Sequence, residues 1–267
     1  MRLTQRIWKT PGRRSCGSAT AAGLALVVCL MALTTPAAAW ARQPAAAADP
    51  VPAADSAAAE APQQRPDRHP EFKRLSPNEE VWIDPRRKEV VVGGVIALDE
   101  GPLEYFACLE RSGKEHESIV AARCTARLVH TALLAIGLEP GKPVAFDPDY
   151  VPATGPRVAV RMRWQGKDDA IRESAAQDWI RNSRTGRRLE TDWVFAGSSF
   201  WRDPRDNKEY YEADGGDLIC VSNFPTATLD LPIESSQSNE ALLFEVFPDR
   251  VPPRGTVVDM ILSAPLD

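Results

Sequence analysis

The sequence is poor in histidine and has no paired cysteine motif. It contains three histidines and five cysteines in 267 residues, and no two cysteines stand in a Cys-x-x-Cys arrangement. This spacing argues against a zinc knuckle, a thioredoxin-like redox pair and a cysteine-ligated iron–sulfur cluster. We therefore predict no cofactor, and a divalent metal is the alternative considered below.

Lysine and arginine are missing from one long stretch. Residues 209–249 contain neither, although the chain has 32 basic residues, whereas residues 157–188 are rich in arginine. We expect these two regions to lie close together and to neutralise each other in part. The net charge of −5 provides no general attraction to nucleic acid or to anionic membranes, so we predict no nucleic-acid partner.

A hydrophobic run long enough to span a bilayer is also missing. Residues 1–18 carry five bases and no acid, and residues 19–33 form an uncharged apolar run, shorter than the roughly 20 residues that a span requires. Small residues follow, up to Ala39 and Ala41. The pattern predicts a signal peptide over residues 1–41, cleaved after Ala39 or Ala41, and a periplasmic or secreted protein. An uncleaved N-terminal anchor is the alternative; after cleavage we expect no stable transmembrane anchor.

Large apolar residues are scarce in residues 42–77, which are rich in alanine and proline. Such a segment buries too little surface to offset its conformational entropy, so we predict a disordered linker in which His69 is solvated. The remaining residues 78–267 are enough for one domain with its own core.

Strand patterns dominate this domain. Two Asp-Pro turns, at Asp84 and Asp203, are flanked by β-forming residues and predict two hairpins. Residues 157–164 alternate apolar and charged, which predicts a half-buried strand, and we expect residues 178–181 to be its partner. Residues 218–221 are continuously apolar and predict a central strand.

One helix stands out. Apolar residues recur at helical spacing from Ile119 to Ile136, with Ser118 as the N-cap and Gly137 as the stop. The alternative is a strand at residues 118–120, with a helix that begins near Thr125. The fold class we predict is α+β, mainly antiparallel β-sheet with one well-defined packed helix.

The first candidate for chemistry is His116 between Glu115 and Glu117. It is not the metalloprotease motif His-Glu-x-x-His, because residue 120 is valine. A looser metal site would combine His116 with Glu115, Asp214 or Asp217, but we favour a solvated, charged segment. The Asp214-Gly-Gly-Asp217 loop lacks the spaced ligands of an EF-hand, and we prefer a tight turn.

The second candidate is Cys220, which would act as a nucleophile if His116 lay beside it. Its apolar surroundings make a buried, inert thiol or a disulfide partner the favoured interpretation. Catalysis by His116, Glu117 or Cys220 is therefore the second hypothesis, as a hydrolase or metal-dependent enzyme. The Ser, Thr and Asn side chains between residues 222 and 236 either line a polar cleft or satisfy the backbone of a loop.

Several motifs resemble the YdjY-domain family. They are Trp82-Ile83-Asp84, Glu100-Gly101-Pro102-Leu103-Glu104, Phe106-Ala107-Cys108, residues 114–120, Val129-His130, residues 133–137, Pro143-Val144 and residues 216–224. The resemblance covers about residues 78–266. It implies an exported bacterial domain of a kind common in planctomycetes, with no assigned activity.

The resemblance also bears on the cysteines and on function. In the family pattern Cys108 and Cys220 have counterparts and Cys124 does not, which implies either a Cys108–Cys220 disulfide or a shared functional role for the two, with Cys124 as the odd thiol. We favour the disulfide. Our leading hypothesis is an extracytoplasmic binding or interaction module, with an envelope protein or polymer as its partner.

Overall fold

The computed structural model describes residues 64–235 and 242–265. The predicted signal peptide and the predicted linker up to residue 63 lie outside these residues. The fold below belongs to one compact unit within residues 58–267. In the described ranges no helix is both long and apolar enough to cross a membrane.

Extended structure accounts for most of the described fold. Its strands are β1 Lys73–Arg74, β2 Val81–Asp84, β3 Glu89–Ile96, β4 Pro102–Leu103, β5 Tyr105–Leu109, β6 Ser118–Ala122, β7 Arg157–Gln165, β8 Ile171–Ala175, β9 Ile180–Asn182, β10 Trp193–Phe195, β11 Phe200–Arg202, β12 Glu209–Tyr211, β13 Asp217–Cys220, β14 Leu229–Asp230, β15 Phe244–Val246 and β16 Val257–Ser263. The single α-helix among the described residues is α1, Ala126–Ala135.

Eight of the strands close into a barrel. Their order is β3–β16–β7–β10–β14–β13–β5–β6, and β6 pairs back onto β3. Two pairs are parallel, β5 with β6 and β13 with β14, and the rest are antiparallel. The predicted β-rich fold with one helix is confirmed, but the predicted sheet is in fact a closed barrel, because β3 has partners along both of its edges.

The barrel encloses one large apolar core. Its bulkiest fully buried side chains include Phe106, Trp179, Trp193 and Met162. Phe106 packs between the two tryptophans, with ring centroids 6.2 Å from Trp179 and 5.5 Å from Trp193. Edge and tilted contacts of this kind add to the free energy gained by burial of the rings.

Both predicted Asp-Pro hairpins are present. β2 pairs with β3, and β11 pairs with β12, each antiparallel. In both turns the aspartate caps the backbone: Asp84 Oδ1 accepts from Arg86 N at 2.9 Å, and Asp203 Oδ1 accepts from Arg205 N at 2.9 Å. This capping is local, which is why the sequence alone predicts it.

The predicted helix is too long at its N-terminal end. Residues 118–122 form β6, fully buried between β3 and β5, and α1 begins only at Ala126, with Thr125 as its N-cap. Thr125 Oγ1 accepts from Leu128 N at 3.4 Å. The alternative with a strand before the helix is therefore correct. The predicted stop is confirmed, since Gly137 adopts a φ of 94°.

Another correction concerns the strand over residues 157–164. It is present as β7 with the predicted alternation of burial. Its partners are β8, β10 and β16, and not residues 178–181. Those residues form a 3₁₀ turn and the start of β9, which pairs with β15 instead.

The basic and acidic regions contact each other less than predicted. Among the described residues one ion pair joins them, Arg181 with Glu245 at 2.8 Å. The other bases of residues 157–188 that form ion pairs have partners outside residues 209–249: Arg157 with Asp192, Arg161 with Glu89 and Glu173, Arg163 with Asp259, Arg172 with Asp168, Arg187 with Glu190, and Arg188 with Asp178. The acidity of residues 209–249 is therefore mostly uncompensated by this region.

The domain begins earlier than predicted. Residues 65–74, called here the strap, contain β1 and pack on the barrel through Trp82. His69 is not a solvated linker residue: its ring meets Trp82 edge-on at 4.8 Å, and its Nε2 lies 3.1 Å from Asp259 Oδ2. The strap supplies charge to a polar site on the barrel surface, which composition alone does not reveal.

Two buried carboxylates hold the strap in place. Arg68 bonds both, at 2.8 Å from Glu80 Oε2 and 2.8 Å from Asp259 Oδ1. Gly93 makes this possible, because a Cβ there would stand 2.1 Å from Glu80 Oε2. A strand glycine at a close approach of this kind is a steric requirement.

Arg68→Ala is expected to lower the free energy of unfolding by about 2 kcal/mol, because two buried carboxylates each lose a cation. The loss stays moderate since Glu80 keeps Arg123 and Asp259 keeps Arg163. Urea unfolding at pH 7 measures it.

The matched control is Arg87→Ala. Arg87 is 70% exposed and its Nε lies 4.0 Å from Asp84, so little or no change in stability is expected. Equal losses in the two variants would show that the strap contributes nothing specific.

Candidate functional site

The β11–β12 hairpin carries aromatic side chains into solvent. Trp201 and Tyr210 are directly opposite each other in register and are 45% and 42% exposed, with ring centroids 5.7 Å apart. Phe200 on the same hairpin is exposed as well. Aromatic rings exposed together in this way are uncommon, and such a surface is suited to contact with another molecule.

A cleft of about 530 Å³ lies beside this aromatic pair. Its walls include three aromatic rings, two carboxylates and a hydroxyl, from Trp201, Tyr210, Tyr211, Glu212, Asp214 and Thr226. We call it the aromatic cleft. Its volume is within the range of roughly 300–1,000 Å³ that is usual for ligand sites.

The two carboxylates of the aromatic cleft have few partners. Glu212 accepts a short hydrogen bond from the hydroxyl of Ser199. Asp214 accepts from Arg127 N at 3.0 Å and lies 3.3 Å from the Arg127 guanidinium. Both belong to the 3₁₀ turn Glu212–Gly215, which confirms the predicted tight turn before β13.

Two residues with left-handed backbone precede the hairpin that carries these rings. Gly197 has a φ of 89° and Ser198 a φ of 55°. The Ser198 hydroxyl donates to Thr226 O at 2.7 Å and accepts from Ala213 N at 3.1 Å. This side chain therefore ties the loop that carries Thr226 to the turn that carries the carboxylates.

A half-buried histidine contacts Tyr211, one of the rings that line the cleft. His130 Nδ1 lies 2.9 Å from the Tyr211 hydroxyl, which donates to Gly197 O at 3.1 Å. Burial lowers the pKa of His130 and raises that of Tyr211, so both groups are neutral at pH 7. The arrangement holds the Tyr211 ring rigidly below the cleft.

Asp217 connects the aromatic cleft with the segment around His116. Its carboxylate accepts short hydrogen bonds from Lys114 Nζ and from Thr226 Oγ1. The ammonium of Lys114 also lies 5.0 Å from the ring centroid of Tyr105. Asp217 is thus already neutralised by a lysine, and it does not meet Asp214 in a shared metal site.

Glu104, the last residue of the family motif at residues 100–104, belongs to the same neighbourhood. Burial raises the pKa of its carboxyl, and the nearby Glu117 carboxylate raises it further, while Lys114 acts in the opposite direction. The sequence signal was an acid between Leu103 and Tyr105, which are both buried. A raised pKa beside other charges is typical of functional acids.

His116 lies at the edge of this neighbourhood. Its side chain is 74% exposed, and its Nε2 is 3.8 Å from Glu117 Oε2. Glu115 turns away and accepts from Arg111 N at 2.5 Å. Across residues 64–235 and 242–265 no three His, Cys, Asp or Glu side chains are grouped as metal ligands.

The predicted Cys108–Cys220 disulfide is not formed: Cys108, Cys124 and Cys220 are free thiols. Cys108 pairs with Asp217, and Cys220 with Tyr105. The two cysteines are thus three strand positions apart, about 10 Å, whereas a disulfide requires Cα atoms within about 7 Å. Burial raises the pKa of Cys220, which makes it a poor nucleophile.

The polar residues after β13 hold a loop in place. Asn223 Nδ2 donates to Leu231 O at 3.1 Å, and Ser235 Oγ donates to Val221 O at 2.7 Å. Both side chains are buried. Asn223 and Ser235 therefore satisfy the backbone of a loop, which is one of the two interpretations given above for this cluster. Ser236 lies outside the described residues.

Asp230 is the one carboxyl in this loop that is buried without a cation among the described residues. Its Oδ1 accepts from Leu231 N at 2.8 Å, and its Oδ2 has no hydrogen-bond partner there. Burial raises its pKa from 3.8 to about 7. The group is therefore partly protonated at neutral pH.

Sequence reasoning missed the aromatic cleft itself. The signal was present in the predicted hairpin, where Phe200, Trp201, Tyr210 and Tyr211 stand on paired strands. A two-stranded ribbon has two faces, and only one can be buried, so some of these rings had to be exposed.

Fold and site together define a class, a closed mixed β-barrel with one helix and an aromatic cleft beside a two-stranded hairpin. A family model described as "YdjY domain" matches residues 81–263, and the chain belongs to this family. The resemblance seen in the motifs is thus confirmed. No curated protein and no solved structure matches the chain.

The substitution Asp230→Asn is expected to stabilise the protein relative to the wild type, and to do so more at pH 8 than at pH 4. With a pKa raised from 3.8 to about 7, the folded state binds more protons than the unfolded state between these values. The wild type therefore loses stability as pH rises through this window. The variant cannot ionise, and its advantage should grow by roughly 2–4 kcal/mol between pH 4 and pH 8.

Urea unfolding across that pH range measures the difference, with the exposed Glu100→Gln as the matched control. Parallel pH profiles for wild type and Asp230→Asn would contradict the buried-carboxyl account.

Proposed function

We propose that this chain is an exported binding module whose partner occupies the aromatic cleft. The single observation that carries the proposal is the half-exposed Trp201–Tyr210 pair beside that cleft. Export is supported by the basic, apolar and small-residue pattern of residues 1–41. The partner we propose is a protein or polymer of the cell envelope.

Exposed aromatic rings are well suited to binding. Tryptophan and tyrosine bury large areas and lose little conformational entropy, and they are enriched among the residues that dominate binding energy. The rings here stand on paired strands, and the hydroxyls of Ser198 and Tyr211 hold the neighbouring loops in place through hydrogen bonds. A site organised before binding has a smaller ordering cost.

The polar groups of the cleft favour binding over covalent catalysis. The hydroxyl of Thr226 is engaged with Asp217, and that of Tyr211 with Gly197. The thiol of Cys220 is fully buried. Burial raises the pKa of Tyr211 and of Cys220, and the carboxylate that accepts from Thr226 is already held by Lys114, so none of the three is an activated nucleophile.

The double variant Trp201→Ala/Tyr210→Ala is expected to lose at least tenfold in affinity for the envelope partner, since interfacial aromatic truncations commonly cost more than about 1.4 kcal/mol. The test is a quantitative pull-down from the envelope fraction, followed by titration of the captured component.

The control is Ile171→Ala, an exposed apolar residue on β8 that is outside the cleft. It should bind as the wild type does. Capture that is equal in the double variant, the control and the wild type would refute the aromatic cleft as the binding site.

A hydrolase is the second candidate, and the raised pKa of Glu104 is the observation that favours it. A carboxyl with a raised pKa holds its proton to higher pH than an ordinary one, which suits a general acid. Glu117 and His116 lie nearby and would complete such a site.

Glu104→Gln tests this candidate. If Glu104 is a general acid, hydrolysis of a panel of chromogenic esters, phosphate esters and glycosides should fall by about 100-fold or more in this variant. Glu100→Gln should keep the wild-type rate. Equal turnover by wild type and Glu104→Gln would exclude Glu104 from catalysis.

A further inference from the structure

We propose that the aromatic cleft binds a basic side chain, lysine or arginine, presented by a protein partner. This inference rests on the binding function proposed above and specifies the chemistry of its ligand. It follows from the charge of the cleft, from its rings, and from a similar arrangement inside the same molecule.

The charge of the cleft is negative. Glu212 forms no ion pair with a lysine or arginine of the described residues, and its one polar contact there is the hydroxyl of Ser199. Asp214 shares its charge with Arg127, which is itself largely exposed. No base occurs anywhere in residues 209–249, and the three bases of the hairpin, Arg202, Arg205 and Lys208, each pair with an acid that does not line the cleft: Glu209, Asp203 and Asp206.

The rings beside these carboxylates complement a cation. The face of an aromatic ring carries negative electrostatic potential, and lysine or arginine is attracted to it within about 6 Å of the centroid. The alkyl stem of either side chain packs on Trp201 or Tyr210, while the charged head reaches Glu212. A neutral sugar would use the rings but would leave the carboxylate charge unmatched.

The molecule already uses this chemistry with its own bases. Lys114 lies over the ring of Tyr105, 5.0 Å from its centroid, and bonds the carboxylate of Asp217. In the strap, Arg68 and Arg74 lie 5.7 Å and 5.6 Å from the ring centroid of Trp82. The aromatic cleft presents the same pair of groups, ring and carboxylate, and its lining residue Thr226 donates to Asp217.

The space is sufficient for more than one side chain. A cleft of about 530 Å³ admits a basic residue together with part of its flanking backbone. The two-stranded hairpin has free edges, which extend the surface on which that backbone would lie. The partner is therefore a peptide segment rather than a free amine.

Calorimetric titration of the full chain with capped pentapeptides tests the inference. The probes are Gly-Gly-Lys-Gly-Gly, its arginine counterpart, its Nε-acetyllysine counterpart and, as a neutral sugar, cellohexaose. We expect the lysine and arginine peptides to bind, with an affinity that falls as salt is added. The acetyllysine peptide should bind at least tenfold more weakly.

Two variants locate the interaction. Glu212→Gln and Trp201→Ala should each weaken binding of the lysine peptide about tenfold, while Glu100→Gln removes the same charge elsewhere and should leave it unchanged. Failure of both basic peptides to bind, or an equal effect of the two glutamine variants, would overturn the inference.

The outcomes also separate this inference from the binding function. If cellohexaose or the acetyllysine peptide binds as well as the lysine peptide and needs Trp201, the cleft is a binding site but not for a basic side chain. If neither the probes nor the envelope partner depends on Trp201 and Tyr210, both proposals fail.

Discussion

Strand β3 has to pair along both of its edges, and the closed barrel depends on this. One edge pairs with β16 over its length, and the other is shared between β2 and β6. The change of partner occurs at Gly93 and Gly94, where a Cβ would collide with Glu80 or with the backbone of Ala121. Because β6 must fill the second half of this edge, residues 118–122 are extended and the helix starts only at Ala126.

Closure of the barrel also brings together the polar residues that lie next to the aromatic cleft. β6 runs parallel to β5 and β13 antiparallel to it, which brings Glu104, Lys114 and Asp217 together although they are distant in sequence. The carboxylate of Asp217 also accepts a hydrogen bond from Thr226, which lines the aromatic cleft. The arginines of residues 157–188 pair mostly with acids elsewhere, so the acidity of the cleft is retained.

Features that depend on near neighbours in the chain were predictable. Asp84 and Asp203 cap their own turns, and residues 157–164 show the two-residue period of a half-buried strand. Ile119 and Ala122 were ambiguous because their spacing fits a helix, and only the pairing with β3 makes them a strand. The predicted Cys108–Cys220 disulfide was wrong for a similar reason. The presence of two cysteines does not reveal the register of their strands, and the register of β5 with β13 offsets them by three positions.

The sequence by itself determined the β-rich class, the two hairpins, the end of the helix at Gly137 and membership of the YdjY domain family, because each rests on local capping, periodicity or motif. Only the tertiary structure decided the closure into a barrel, the docking of the strap through Arg68 and His69, and the raised pKa of Glu104. It also decided that the acids of residues 212–214 stand beside exposed aromatic rings. These depend on long-range strand register and burial, which no short stretch of sequence contains.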